Sequence, residues 1–156
     1  KGKLTYAANW DEFKRVPFWS DLDYIGVDAY FPLSDKKTPT VLDFEKGWKP
    51  HKKEIQRIQQ KYKKPILFTE YGYRSVDFTG EKPWESKGIT GNINLEAQAN
   101  ATQAIYNQFW KEDWFAGGFI WKWFHNHEKS GGENNNRFTP QNKPTEVLLK
   151  KLYKIN

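Results

Sequence analysis

The 156-residue sequence has no cysteine, which excludes a disulfide framework and thiolate chemistry without selecting a compartment. It has no methionine either, not even at position 1, so the reading expects a piece trimmed or excised from something longer. No apolar run approaches the ~18 residues that a helix crossing a bilayer needs, and no membrane partner is expected. Histidine is scarce at three residues. His125 and His127 form a His-x-His pair, the kind of spacing that suggests a metal site. The only other histidine, His51, falls in a lysine-rich segment, so the further ligands that such a site needs are lacking. The pair reads as polar rim residues, and neither a metal nor any other cofactor is expected.

Aromatic residues, by contrast, are plentiful: eight Trp, eight Tyr and eleven Phe. Sugar-binding sites use such rings, because the C–H faces of a pyranose stack on them; the plainer alternative is that large rings fill the core. The length suits one domain with a real core. Net charge is +6, and Lys36, Lys37, Lys49, Lys52, Lys53, Lys61, Lys63 and Lys64 crowd one region. Such a run can face phosphates. Here it interleaves with Glu54 and glutamines and reads as the solvated side of a helix, so no nucleic-acid partner is expected.

Four strand candidates alternate with helical stretches: residues 4–10 (LTYAANW), 22–30 (LDYIGVDAY), 65–71 (PILFTEY) and 115–123 (FAGGFIWKW). Their near-continuous apolar character predicts parallel strands covered on both faces. Between them, 11–19 predicts a short helix cut by Pro17, and 40–62 a longer one broken near Pro50, with Ile55, Ile58 and Tyr62 as its buried stripe. Residues 94–112 predict a helix capped by Asn94 with Leu95, Ala99, Thr102, Ile105, Tyr106 and Phe109 inward. Residues 144–153 predict a last helix with Pro144 in its first turn and Val147, Leu148 and Leu152 inward. The order is βαβαβαβα. Long loops follow the strands (31–39, 72–93 and 124–143) and short ones precede them, the arrangement in which α/β folds carry sites at the carboxyl ends of strands. The asparagine-rich stretch 130–138 is a loop by composition, with a lectin-like role as an alternative.

Side-chain alternation predicts that Ile66, Phe68 and Glu70 share one face of the third strand. Likewise Tyr24, Gly26, Asp28 and Tyr30 share a face of the second, and Phe119, Trp121 and Trp123 a face of the fourth. If these faces line one interior, Asp28, Tyr30, Glu70 and Trp121 meet at one rim, with Asn9 or Trp10 ending the first strand at the same level. Tyr73, three residues past Glu70, joins the candidates for substrate contact. A carboxylate among rings, with a tyrosine hydroxyl to orient it, suits attack on an anomeric carbon. The competing reading pairs Glu70 with Arg74 in a loop.

The segments ANW, DYIGVDAYFPL, PILFTEYGYRS, FIWKWF and FTPQNKPTEVLLKKLY together resemble the C-terminal half of a clan A glycoside hydrolase, most similar to family 113, the β-mannanase-like (β/α)₈ enzymes. The resemblance covers essentially the whole chain. It implies strands five to eight of a TIM barrel. By position it makes Glu70 the nucleophile, Tyr30 the tyrosine that contacts it, and Trp121, with Trp123 as second choice, the floor beneath the reacting sugar. Asp28 stands where many relatives carry a histidine. Asn9, Trp10 and Tyr73 remain substrate-binding candidates. Retaining enzymes of this kind need two carboxylates about 5–5.5 Å apart. The second resembles an Asn-Glu pair ending strand four, and this chain has no such dipeptide at a strand end; Glu133-Asn134 has the reverse order and lies in a loop. Glu81 and Glu85 are further carboxylates in the long loop after the third strand. A full barrel takes about 250 residues, so the resemblance implies a polysaccharide substrate together with a missing N-terminal half, supplied by another chain or replaced by a second copy. The alternative is a non-catalytic carbohydrate-binding or purely structural half-barrel.

Overall fold

The computed structural model describes residues 2–86 and 91–154. Four strands, β1 (Ala7–Asn9), β2 (Ile25–Asp28), β3 (Ile66–Tyr71) and β4 (Phe115–Ile120), form one parallel sheet in the order β1-β2-β3-β4. Three helices, α1 (Val41–Tyr62), α2 (Leu95–Phe109) and α3 (Pro144–Tyr153), follow β2, β3 and β4. The α/β class, the parallel order and, from β2 onward, the strand–helix alternation agree with the reading above. The strands themselves are shorter than their apolar runs.

The first crossover differs from expectation. In place of a helix over 11–19 the chain makes two 3₁₀ turns, Phe13–Arg15 and Trp19–Asp21. Pro17 lacks an N–H and disfavours helical backbone in the residue before it, and Val16 is accordingly extended at φ −68°, ψ 119°. The second difference is α1, which runs unbroken through Pro50. Phe44 and Trp48 before the proline and Ile55 and Ile58 after it are all buried, so packing on both sides holds the helix across one missing hydrogen bond. Its start is fixed by a reciprocal cap: the Thr40 hydroxyl accepts from the Asp43 N–H at 3.2 Å, and the Asp43 carboxylate accepts from the Thr40 N–H at 3.0 Å. Asn94 caps α2 as expected, accepting from the Ala97 N–H at 3.0 Å. Gly47, an unfavourable residue inside a helix, sits where α1 crosses the loop after β2; a Cβ there would come within 2.1 Å of the Leu33 carbonyl oxygen.

The core lies between one face of the sheet and helices α1 and α2. Phe68 on β3 meets Trp48 of α1 at 6.1 Å, Phe109 of α2 at 4.9 Å and Phe115 of β4 at 4.9 Å between ring centroids. Burying these rings is the main source of stability. The strands are not covered on both faces: Ala7 of β1 and Ala116 and Phe119 of β4 are exposed. Helix α3 turns a different side inward from the one expected. Thr145, Glu146 and Leu149 are buried, while Val147 is exposed and Leu148 and Leu152 are half-buried, because α3 lies against α2 and the polar loop network rather than on the sheet. The lysine-rich region is paired in part: Lys36 binds Asp43 and Lys52 binds Glu112, which ties α1 to the turn after α2. Among the described residues no helix is long and apolar enough to cross a membrane.

Candidate active site

Strand β3 directs its glutamate by a register shift. Ile66, Phe68 and Tyr71 are all buried on the helix-packed side, with Tyr71 set edge-on to Trp110 at 5.7 Å. Two residues, Thr69 and Glu70, therefore separate consecutive inward positions, and the pairing with both neighbouring strands slips there. Such an extra residue re-aims side chains. This corrects the expectation that Ile66, Phe68 and Glu70 share a face: simple alternation fails at the bulge, and Glu70 leaves the helix-packed side together with Thr69.

Glu70 Oε2 accepts a hydrogen bond from the Tyr30 hydroxyl at 2.8 Å. Tyr30 sits two residues past the end of β2, with its N–H donated back to the Asp28 carbonyl at 3.0 Å, a tight turn that swings the ring toward β3. Burial first, and then the Glu70 carboxylate, push the Tyr30 hydroxyl far above the ordinary phenol range. The hydroxyl is thus a permanent donor to Glu70. Arg74 turns elsewhere, donating from Nε to the Asn136 carbonyl at 3.1 Å. The loop pairing of Glu70 with Arg74 is not what the structure adopts.

Asp28 pairs in register with Glu70, and Asn9 with Asp28, so the three strand ends lie at one level. Thr69 donates to Asp28 Oδ1 at 2.8 Å. Burial raises the Asp28 carboxyl above its ordinary value, with the Thr69 hydrogen bond opposing. Trp121, just beyond β4, is 40% exposed. Its N–H donates to the Tyr71 carbonyl at 2.8 Å, and its peptide bond to Lys122 is cis. Gly72 makes this approach possible, since a Cβ there would lie 2.4 Å from the Trp121 carbonyl oxygen. The Lys122 ammonium lies over the Trp121 ring at 5.4 Å.

The remaining candidates divide. Trp10 follows Asn9 at the same rim. Trp123 is half exposed but lies beside His127, with centroids 6.2 Å apart, on the side toward α3. Tyr73 is a correction: it is 1% exposed, and its hydroxyl donates to the Phe31 carbonyl at 3.0 Å. It belongs to the core, because the chain after Gly72 turns back under the loop that follows β2. Glu81 and Glu85 line a cleft with Arg74, Asp77 and Lys82, whose described lining residues include neither Glu70 nor Tyr30. His127 binds the buried Glu146 at 2.8 Å and so anchors α3. His125 is exposed.

Two residues near the site carried no signal in the sequence reading. Phe138 meets the Tyr30 ring edge-on at 5.9 Å and comes within 3.8 Å of a Cβ built on Gly72. It is held by buried Gln98, whose side-chain amide donates to the Tyr73 and Phe138 carbonyls, both at 2.9 Å. Trp84, in the loop after β3, stacks on Trp10 with centroids 5.1 Å apart. The asparagine-rich loop has a structural job. Lys143, buried and pushed down to about 8 by burial and then by Arg74, donates to Ser75 Oγ, Asn135 Oδ1 and the Arg137 carbonyl, joining the loops that follow β3 and β4.

The resulting arrangement is a carboxylate held by a tyrosine at the carboxyl end of a parallel strand, with Trp121 just beyond the end of the neighbouring strand. Comparison with known proteins places it. The chain superposes on a GH113 β-1,4-mannanase at TM-score 0.81 and 25% identity, covering 99% of this chain and 46% of that one. Similar values, TM-score 0.80 and 24% identity over 100% of this chain and 46% of the other, hold for the GH113 β-mannanase AaManA from Alicyclobacillus acidocaldarius in complex with ManMIm. A β-glucuronidase from Ruminococcus gnavus shares the fold more distantly, at TM-score 0.66 and 16% identity, covering 99% of this chain and 26% of the other. No curated protein matches the chain. The chain thus spans a little under half the length of the mannanases it resembles. The model of Glycoside Hydrolase Family 113 matches residues 1–143, and the chain belongs to that family.

Proposed function

We propose that this chain carries the nucleophile half of a retaining glycoside hydrolase that acts on a β-linked polysaccharide of the mannan type. The observation that carries the reading is the 2.8 Å hydrogen bond from Tyr30 to Glu70 Oε2 at the strand-end rim. Tyr30 fixes one oxygen and the plane of the carboxylate, which aims the other oxygen. In the first step Glu70 attacks the anomeric carbon and the glycosidic C–O bond breaks; a second carboxylic acid protonates the departing oxygen. A glycosyl ester to Glu70 results. Water, deprotonated by the same second carboxylate, then releases the sugar with net retention. Trp121 offers a ring face beside this path, and Asp28 and Asn9 offer polar groups at the same level.

The second carboxylate belongs, on this reading, to the other half of the barrel, from a separate polypeptide or the remainder of a longer one. The sheet face left open by exposed Ala7, Ala116 and Phe119 is the one that half would enclose in closing the cylinder. Alone, the chain forgoes general acid catalysis and is slower by roughly 10²–10⁴-fold on natural leaving groups. The test is Glu70→Gln in the completed barrel, assayed on β-mannan, cellulose and xylan oligosaccharides. Turnover is expected to fall on the order of 10⁴-fold while oligosaccharide binding persists. Retained turnover would remove Glu70 from the chemistry. A second reading, a non-catalytic carbohydrate-binding half-barrel, draws on the lack of an Asn-Glu dipeptide at any strand end. It predicts binding without turnover, and none for Glu70→Gln to abolish.

A further inference from the structure

Trp84 and Trp10 form a stacked pair, 5.1 Å between centroids and 22° between planes, that joins distant parts of the chain. Trp10 follows β1; Trp84 belongs to the loop that leaves β3. That loop crosses the end of β2 and is pinned as it does so. The Leu33 and Ser34 N–H groups both donate to the Gly80 carbonyl, and the Phe78 N–H donates to the Lys37 carbonyl. Pro83 is buried, and the Glu85 N–H closes a turn on the Lys82 carbonyl. Trp10 is braced in turn by Phe31, edge-on at 5.9 Å, and Phe31 is 2% exposed and locked against Phe13, Trp48 and His51. Behind Trp84 there is therefore a rigid ladder of rings running into the core. Yet Trp84 itself is 42% exposed. Covering Trp10 would need only a modest apolar side chain; an indole fixed in a pinned loop with much of its surface in water has the properties of a stacking platform. Its orientation is already set, so a ligand that stacks on it meets little ordering cost.

The pair's place at the rim defines its range. Asn9, Asp28 and Glu70 are successive register partners across β1, β2 and β3. Asn9 thus stands two strand spacings from the glutamate, about 10 Å along the sheet, and the Trp10–Trp84 pair begins at the residue after it. This is too far to touch the sugar undergoing attack at Glu70 and within reach of a neighbouring unit of the same chain. We propose that Trp84, backed by Trp10, is a remote subsite that stacks on a pyranose ring of a bound β-linked polysaccharide and sets a preference for longer substrates. The inference rests on the polysaccharide reading above and adds a residue and a role to it.

The experiment compares wild type, Trp84→Ala and Trp84→Phe in the completed barrel, titrating β-mannotriose and β-mannohexaose by calorimetry, with cello- and xylo-oligosaccharides in parallel. Trp84→Ala is expected to weaken the hexasaccharide by about 10–100-fold and the trisaccharide by less than about twofold, with Trp84→Phe restoring most of the loss. Hydroxyl-radical footprinting of wild type gives a readout independent of any variant: Trp84 is expected to be protected by the hexasaccharide and unprotected by the trisaccharide. Equal losses for both lengths, no loss, or no protection of Trp84 by an oligosaccharide that does bind would overturn the subsite alone. If wild type binds none of the oligosaccharides, the polysaccharide reading falls and the subsite with it.

Discussion

Glu70 owes its direction to two features of its surroundings rather than to its own side chain. The extra residue between Phe68 and Tyr71 turns it off the helix-packed face, and the Tyr30 hydroxyl holds it at 2.8 Å. A carboxylate with several rotamers is thereby reduced to one useful orientation. Removing the hydroxyl alone should expose how much that orientation matters. Tyr30→Phe keeps the ring against Phe138 and deletes only the donor. On the proposed chemistry, kcat in the completed barrel is expected to drop by about 10–10²-fold with KM changed by no more than a few-fold, the pattern of a misaimed reacting group. An unchanged kcat in steady-state assays would mean that Tyr30 does not orient the proposed nucleophile. At this scale the sequence was legible where a residue's chemistry was unusual for its place. A glutamate ending an apolar run and a tyrosine ending another are visible as a pair in the sequence itself. Tyr73 misled because its place three residues past Glu70 says nothing about the turn at Gly72 that sends it into the core. Trp84 and Phe138 were silent because their partners lie far away in sequence, in loops with no period to read.

Helices were legible in proportion to the strength of their end signals. Asn94 before Leu95 and Pro144 in the first turn of α3 marked two starts correctly. Interior proline was the weaker signal: packing of Phe44, Trp48, Ile55 and Ile58 overrides it in α1. That override carries a cost that can be recovered. Pro50 is exposed, so Pro50→Ala should restore the hydrogen bond to the Lys46 carbonyl without disturbing the core, adding about 1–3 kcal/mol on denaturant titration. A destabilised variant would show that the proline ring itself supports the helix. The docking of α3 has a pH dependence. Burial would raise the Glu146 carboxyl, but hydrogen bonds from Lys150, the Asn142 N–H and His127 outweigh it and hold the group at about 2. Because the folded value lies below the unfolded one, this contribution is complete above about pH 4.5 and is lost as pH falls toward 2. Thermal melts should therefore show a steeper loss in that window for wild type than for Glu146→Gln. With allowance for screening the difference is on the order of 1 kcal/mol. Parallel pH profiles for the two proteins would contradict the assignment.

At the scale of the whole molecule, the sheet has one finished face and one open face. The helix side is a continuous aromatic core. The other side presents Ala7, Ala116 and Phe119 to solvent, Phe119 being 65% exposed, and the chain covers 46% of the mannanase structures it resembles. Apolar patterning made the parallel sheet legible. It overstated the cover on the second face, since a run of apolar residues reads the same whether the far side meets helices or lies inside an unfinished cylinder. The same incompleteness separates the two halves of the proposed chemistry, because formation of the glycosyl ester needs Glu70, while protonation of a natural leaving group needs a carboxylate from elsewhere. A leaving group that requires no proton isolates the first half. The most direct measurement is therefore mass spectrometry of the completed barrel after incubation with 2-deoxy-2-fluoro-β-mannosyl fluoride, whose fluoride departs unassisted and whose ester turns over slowly. The account predicts a single fluoromannosyl adduct on the peptide containing Glu70, absent from Glu70→Gln. An adduct on any other carboxylate, or none from a preparation that hydrolyses mannan, would contradict it.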